Sequence, residues 1–384
     1  QIYKNGIPAE LSDLRQYDVG TYDKSSDTLF VSDLKLSGLY ENAYPNAAAP
    51  STVTVMGAEL TVLPSAQADL AAFKVGDKVT LLLTTTGQVA GAVSPDVAKS
   101  NAVGVATVDG TKATIELLDG ILTLEGQTTY SGAAAAKLNG CLVTVSSYKR
   151  DYLTLSKVNG KGASTALNLT TNRMGTKELS AGARFFEQVG NGRLVEIDRS
   201  DITITSIPAN KITYVGYDWA GRVDKLVLND VTGDRYDYGI IHYQPAGYQE
   251  TPGNPDGNGE YKNGEISVTN GSFPKGMPPY VVGSVDGAKT NRMGGVAGSL
   301  DQLDGKNRMA AFMPLNEATG IRRAQFDTDA MLLTTNSMVI PISDKVECYN
   351  KTTGDWFKPG EDGDHKAALN LALAFSDDIT VYYD

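Results

Sequence analysis

Acid–base or nucleophilic chemistry needs a base, a nucleophile or a set of metal ligands, and this chain offers two histidines and two cysteines in 384 residues. His242 sits in an alternating run beside Tyr243, with no Ser or Cys motif in recognisable relation and no Gly-x-Ser-x-Gly anywhere, so it reads as a structural strand residue. His365 closes the polar run Glu361-Asp362-Gly363-Asp364-His365 at a helix start, where acidic residues complement the helix dipole. Cys141 and Cys348 lie far apart and in different repeats, and they read as free thiols in strands. Two carboxylates distant in sequence can meet in space as they do in glycosidases. Most acidic residues here, however, occupy turns such as Asp109-Gly110 and Asp119-Gly120, where a backbone role suffices. There is no Walker loop, no dinucleotide fingerprint after a strand, and no Cys or His spacing for zinc. Asp256-Gly257-Asn258-Gly259-Glu260 interleaves oxygen ligands with glycine, but the rest of a calcium loop and its flanking helices are missing, so a Gly-rich turn is expected. Tyr236, Tyr238, Tyr382 and Tyr383 could offer sugars an apolar face with a polar tip; a core or cross-strand role is the commoner use. No catalytic, cofactor-binding or metal residue is assigned, and no cofactor is expected.

The elements that carry these residues are organised around one repeated hairpin. Residues 209–228 run Lys211-Ile212-Thr213-Tyr214-Val215, turn through Asp218-Trp219-Ala220-Gly221, and continue Arg222-Val223-Asp224-Lys225-Leu226-Val227-Leu228. β-Branched and aromatic residues thus flank a polar turn with glycine where positive φ is needed. The pattern returns at 76–93, more loosely at 141–155, and at 378–384. The last copy matches residues 211–217 and stops where the turn and the Gly-x-Val strand should follow, so the chain is expected to end inside a hairpin. It begins Gln1-Ile2-Tyr3 without a charged-then-apolar leader, which suggests a piece of something larger.

Composition points to a mainly β protein. Hydrophobic residues make up 41% and charged residues 21%, enough to fold, and 40 glycines with 19 tyrosines suit short strands joined by many turns. The expected fold is a series of tandem small β-barrel or β-sandwich modules, each with a short helix before the repeated hairpin, because short strands need closure or a second sheet to hide their edges. The modules are placed at 1–97, 98–160, 161–245 and 265–384, with the Pro-, Gly- and Asn-rich stretch 246–264 as a linker or long loop. Helices are expected at 66–73, capped by Ser65, at 133–138, at 296–303 and at 367–375, and strands at 308–313, 321–326, 337–342 and 345–349. Thr290-Asn291-Arg292-Met293-Gly294 echoes Thr171-Asn172-Arg173-Met174-Gly175, a further trace of duplication or a coincidence. The formal net charge of −11 argues against nucleic acid or an anionic membrane surface as a partner. No apolar run approaches the length needed to span a membrane.

Several strand-and-turn phrases resemble the region that follows S-layer homology modules in surface proteins of anaerobic Gram-positive bacteria. They are Arg15-Gln16-Tyr17-Asp18-Val19, Val75-Gly76-Asp77-Lys78-Val79-Thr80-Leu81-Leu82-Leu83, residues 226–234, and Val346-Glu347-Cys348-Tyr349-Asn350-Lys351-Thr352-Thr353-Gly354-Asp355-Trp356-Phe357. The resemblance implies an exported protein tethered to cell-wall polymer by modules outside these residues, and it supplies no functional residues. The expected function is a non-enzymatic structural or spacer segment at the cell surface or in the cell wall. A carbohydrate-binding surface module and a surface glycoside hydrolase are the alternatives. Expected partners are cell-wall or surface glycans or other copies of the chain, with neither nucleic acid nor membrane insertion.

Overall fold

The computed structural model describes residues 1–128, 130, 134, 137–158, 162–250, 259–299 and 308–384. The chain is mainly β and divides into two compact units, one of Gln1–Glu187, Arg193–Arg199 and Ile204–Asn229, the other of Gln188–Gly192, Ser200–Thr203 and Asp230–Asp384.

The first unit opens with a four-stranded sheet of β1 (Ile2–Lys4), β2 (Ile7–Pro8), β3 (Val19–Asp23) and β4 (Thr28–Ser32), in the order β2-β1-β4-β3. Lys4 is 1% exposed, and its ammonium is satisfied by Asp18 Oδ2 at 2.6 Å and the Asp13 carbonyl at 3.0 Å. Next come β5 (Lys35–Tyr44), β6 (Thr52–Val55), β7 (Ala58–Thr61), helix α1 (Pro64–Leu70), β8 (Lys78–Leu83) and β9 (Val89–Val93). Their order is β7-β6-β5-β8-β9, and a parallel bridge from Val62 to Val89 brings the two ends together. The helix starts earlier than expected: Pro64 presets the first turn, Leu63 precedes it with no side-chain cap, and Ser65 instead donates from its hydroxyl to the Ala90 carbonyl at 2.9 Å.

The same plan follows in β10 (Ala102–Asp109), β11 (Lys112–Leu117), β12 (Thr123–Thr128), β13 (Leu142–Lys149) and β14 (Tyr152–Lys157). They form a closed barrel whose third and fifth strands run parallel at Gln127–Tyr152 and Thr128–Leu153. The helix expected at 133–138 falls in the third-to-fourth connection and lies mostly outside the described residues. The unit ends in a seven-stranded sheet of β15 (Leu167–Asn168), β16 (Arg173–Met174), β17 (Lys177–Gln188), β18 (Val195–Ile197), β19 (Ser206–Ile207), β20 (Ile212–Tyr217) and β21 (Val223–Asn229). β20 and β21 are the hairpin at 209–228, paired antiparallel with two bulges.

These sheets are not separate beads. One hydrophobic cluster holds Leu36, Tyr40, Val53 and Leu81 of the first barrel together with Ile115, Leu124, Leu153 and Leu155 of the second. The backbones approach closely as well: Leu39 N–H donates to Ser147 Oγ at 2.8 Å, and a Cβ on Gly57, at φ +71°, would overlap the Glu125 carbonyl oxygen. A second cluster joins Val105, Leu118 and Leu142 of the second barrel to Phe186, Leu194 and Val227 of the seven-stranded sheet. Arg184 ties the same pair, holding Glu196 in a fork and donating to the Leu118 carbonyl at 2.6 Å. The hairpin turn reaches back to the N-terminal sheet, where Trp219 Nε1–H donates to the Lys4 carbonyl at 3.3 Å and the indole lies between Lys4 and Arg222, 5.3 and 5.1 Å from its ring centroid.

The second unit contains a closed barrel of β22 (Asp237–Gln244), β25 (Gly264–Thr269), β26 (Tyr280–Val282), β27 (Met293–Ser299) and β28 (Arg308–Pro314), closed by a parallel pair at Val281–Arg308. In the connection from its first to second strand, β23 (Gly247–Glu250) and β24 (Gly259–Lys262) pair as a ribbon, so the expected linker at 246–264 is partly strand. The helix expected at 296–303 is not found over its described part, 296–299, which belongs to strand β27; residues 300–303 lie outside the described residues. Glycine disfavours helix, and the strand needs its glycines for clearance: a Cβ on Gly295 would lie 2.7 Å from Tyr238, and one on Gly298 would lie 2.6 Å from Tyr280.

The remainder is β29 (Asn316–Ile321), a small sheet of β30 (Phe326–Asp327), β31 (Leu332–Thr334) and β32 (Val339–Pro341), the hairpin β33 (Cys348–Asn350) with β34 (Asp355–Phe357), helix α2 (His365–Phe375) and β35 (Ile379–Tyr383). The strand expected at 321–326 gives way to a 3-10 turn at Arg323–Gln325; the longer strand lies just before it and pairs with β35. The final strand therefore has an upstream partner, β29, on one of its edges.

Each barrel thus has the cyclic order first-second-third-fifth-fourth, with the third and fifth strands parallel. That is the connectivity of the OB-fold, a five-stranded Greek-key barrel, and α1 occupies that fold's helix position between strands three and four. Gly57→Ala should lower the stability of the first unit by about 2–4 kcal/mol, through positive φ and overlap with Glu125. Calorimetry should show both fused barrels shifting together. Asp18→Asn leaves the Lys4 charge buried without its counter-ion and should cost roughly 3–5 kcal/mol, measured by chemical denaturation.

Candidate functional site

A cluster of buried titratable groups lies in the second unit, where β33 and α2 meet the β25–β26 connection. The Glu347 carboxylate accepts the Gly271 N–H at Oε2, 2.8 Å away, while Oε1 lies 3.8 Å from His365 Nδ1. His365 is the first residue of α2, whose start is set by Asp364 accepting the Ala367 N–H at 3.1 Å. Its Nδ1 also lies 3.1 Å from the Val346 carbonyl; a carbonyl only accepts, so Nδ1 carries the proton. The two side chains are 9% and 14% exposed. Burial raises the Glu347 carboxyl above its ordinary range, against the lowering effects of the Gly271 N–H, His365 and Ser272. Burial also raises Asp237, opposed by Lys345 and Arg235. The neighbouring Cys348 thiol is pushed up to about 12, by burial first and then by Glu347.

Those shifts decide what the cluster can do. A cysteine nucleophile works as its thiolate, and Cys348 is a neutral thiol at pH 7. Cysteine, imidazole and carboxylate are brought near one another without an activated nucleophile. The geometry works as a clamp that joins the barrel connection, the β33–β34 hairpin and the helix start. In sequence, His365 reads as a helix-start residue, Cys348 as a free thiol in a strand, and Glu347 enters only as part of a strand phrase. Nothing local marks Glu347 as buried, because its partner Gly271 lies 76 residues away.

The other residues singled out in the sequence are dispersed. His242 Nε2 is bonded to Thr269 Oγ1 at 2.6 Å on the neighbouring strand. Cys141 is buried, its thiol donating to the Lys137 carbonyl at 3.3 Å, and both cysteines are free. Gly110 and Gly120 adopt φ of +59° and +74°, so the aspartates before them serve turns. Tyr236 is buried against Tyr238, whose hydroxyl donates to the Gly233 carbonyl at 3.0 Å; this is core packing and not a platform. Tyr382 accepts from Lys351 Nζ at 3.3 Å, and it and Tyr383 lie on β35. Of the run Asp256-Gly257-Asn258-Gly259-Glu260, residues 256–258 lie outside the described residues. Among the described residues no group of three or more His, Cys, Asp or Glu is placed to hold a metal ion, and no helix is long and apolar enough to cross a membrane.

An open cleft of about 400 Å³ lies at the closing seam of the second unit's barrel, lined by Asn263, Val281 to Val285, Arg308 and Met309. Asn263 immediately precedes β25, and Arg308 is the first residue of β28. Its wall combines valine and methionine side chains with the amide, hydroxyl and guanidinium of Asn263, Ser284 and Arg308.

In comparisons with known proteins, no family model, no curated protein and no solved structure matches this chain.

The raised Glu347 carboxyl has a definite pH signature. Its folded-state pKa lies above the unfolded value, so it contributes stability below the ordinary glutamate value of 4.5 that is lost as pH rises through the folded value. Glu347→Gln keeps an acceptor for Gly271 and removes the charge. It should raise the melting temperature of the second unit at pH 7.5 and flatten its decline as pH rises above 4.5, followed by calorimetry. An unchanged pH profile would show that Glu347 is not the group responsible.

Proposed function

We propose that this chain is a non-catalytic structural segment of an exported, cell-wall-associated surface protein, in which small β-barrels act as a stiff block between other parts of the molecule. The observation that carries the reading is the continuity of the cores: one apolar cluster runs through the first two barrels, and another binds the second barrel to the next sheet. Barrels joined this way unfold and bend together, as a load-bearing segment requires. Two further observations support it. The ionisable groups are used as ties, in Lys4 with Asp18 and Glu347 with Gly271 and His365, and the strand-and-turn phrases resemble the region following S-layer homology modules. The net charge of −11 disfavours the oligonucleotides that many OB-folds bind.

The test combines solution scattering with calorimetry. The expected result is one cooperative transition for residues 1–229 and a scattering profile unaltered by salt. Independent melting of the two fused barrels would overturn the stiff-block reading.

A second reading, favoured by the cleft between Asn263 and Arg308, is carbohydrate binding. A cell-wall-polysaccharide and glycan array, probed with and without calcium, should then show saturable binding to one polymer class that Ser284→Trp abolishes. Silence across the array leaves the structural role alone.

A further inference from the structure

The three barrels share a plan that the C-terminal elements follow only in part. In every barrel the fourth strand lies between two antiparallel partners: β8 between β5 and β9, β13 between β10 and β14, β27 between β22 and β28. β35 occupies the corresponding place. It follows helix α2 directly, as β8 follows α1, and it pairs antiparallel with an earlier strand, β29. Among the described residues β29 is its one strand partner, which leaves the other edge of Ile379–Tyr383 without a ladder.

Burial marks the difference. In the complete barrels Val79 to Leu83 and Gly294 to Ala297 are buried, whereas all five residues of β35 are only half-buried. The adjoining helix repeats the contrast. α1 buries Ala66 and Leu70 and exposes no large apolar side chain, while α2 leaves Leu371 49% and Phe375 75% exposed, one turn apart on the same face. Met338 and Val339 of the same region are 42% and 59% exposed. An unpaired edge of β-branched and aromatic residues is a ready template for another strand.

We propose that the second edge of β35 is a strand-acceptor site whose occupant is an extended segment with the chemistry of residues 221–229, a glycine followed by polar residues around Val223 and then the apolar run Leu226-Val227-Leu228. The chain itself indicates that partner. Ile212-Thr213-Tyr214-Val215 has its counterpart in Ile379-Thr380-Val381-Tyr382, and β20 is paired antiparallel with β21, Val223–Asn229. The added strand contributes main-chain hydrogen bonds along the edge and apolar side chains against the half-buried face of β35, the mode of β-strand addition.

The test uses the full chain and a fluorescent peptide with the sequence of residues 220–230, Ala-Gly-Arg-Val-Asp-Lys-Leu-Val-Leu-Asn-Asp. The expected result is saturable binding, with amide hydrogen exchange at Ile379–Tyr383 slowed about tenfold or more, a strand-addition effect of about 1.4 kcal/mol. A peptide with Leu226→Pro should bind at least about tenfold more weakly, and because that change is in the peptide, folding of the chain is not at stake. Val381→Pro in the chain should reduce binding in the same way. No binding by the parent peptide, or protection confined to β20 or another edge, would overturn the proposal. Protection of Ile379–Tyr383 that appears without peptide and grows with protein concentration would assign the edge to a second copy and overturn the proposed occupant.

Discussion

Short strands leave two open edges unless the sheet closes on itself, and closure is the constraint on which this structure depends. Each barrel closes where its third and fifth strands run parallel, through a seam of one or two residue pairs: Val62–Val89, Gln127–Tyr152 with Thr128–Leu153, and Val281–Arg308. Because the fourth strand is antiparallel to the fifth, the chain leaving the third strand must cross the end of the barrel to begin the fourth. In the first barrel α1 makes that crossing, with Ala66 and Leu70 fully buried in the end of the core. The crossing is thus a geometric requirement of closure, met by a helix in the first barrel and by residues 283–292 without one in the second unit's barrel.

Closed barrels have no edges to offer one another, so they associate through their surfaces and hairpin tips. Glycine is used where tips touch walls. Gly57 brings the turn at Met56 against strand β12, with Glu125 N–H donating to the Met56 carbonyl at 3.1 Å. Glu41 supports the same tip from a bulge that turns it inward beside Tyr40; its carboxylate accepts the Gly57 N–H at 2.9 Å and is raised by burial. Where apolar contact gives out, single buried charges take over. Lys4 with Asp18 and Glu347 with Gly271 and His365 each join segments apart in sequence, and losing Asp18 is costly because the Lys4 charge stays buried.

These ties bring a histidine, a cysteine and a carboxylate near one another in a buried setting. The burial that makes Glu347 a strong tie also keeps Cys348 protonated. The surface left open by closure is at the seam cleft and along the second edge of β35.

The amino-acid sequence by itself determined the β class, the short strands and most hairpin positions, because alternation and turn glycines act over a few residues: β8–β9, β13–β14 and β20–β21 all lie where the pattern places them. It hid the fourth strand of the last barrel, since Gly294, Gly295 and Gly298 interrupt the alternation for the sake of Ile241, Tyr238 and Tyr280 packed against them. Only the tertiary structure decided how strands close, which cores merge and which carboxyls are buried. Those outcomes depend on residues far apart in the chain, Gly57 with Glu125, Trp219 with Lys4, Glu347 with Gly271, whose contact no local pattern encodes.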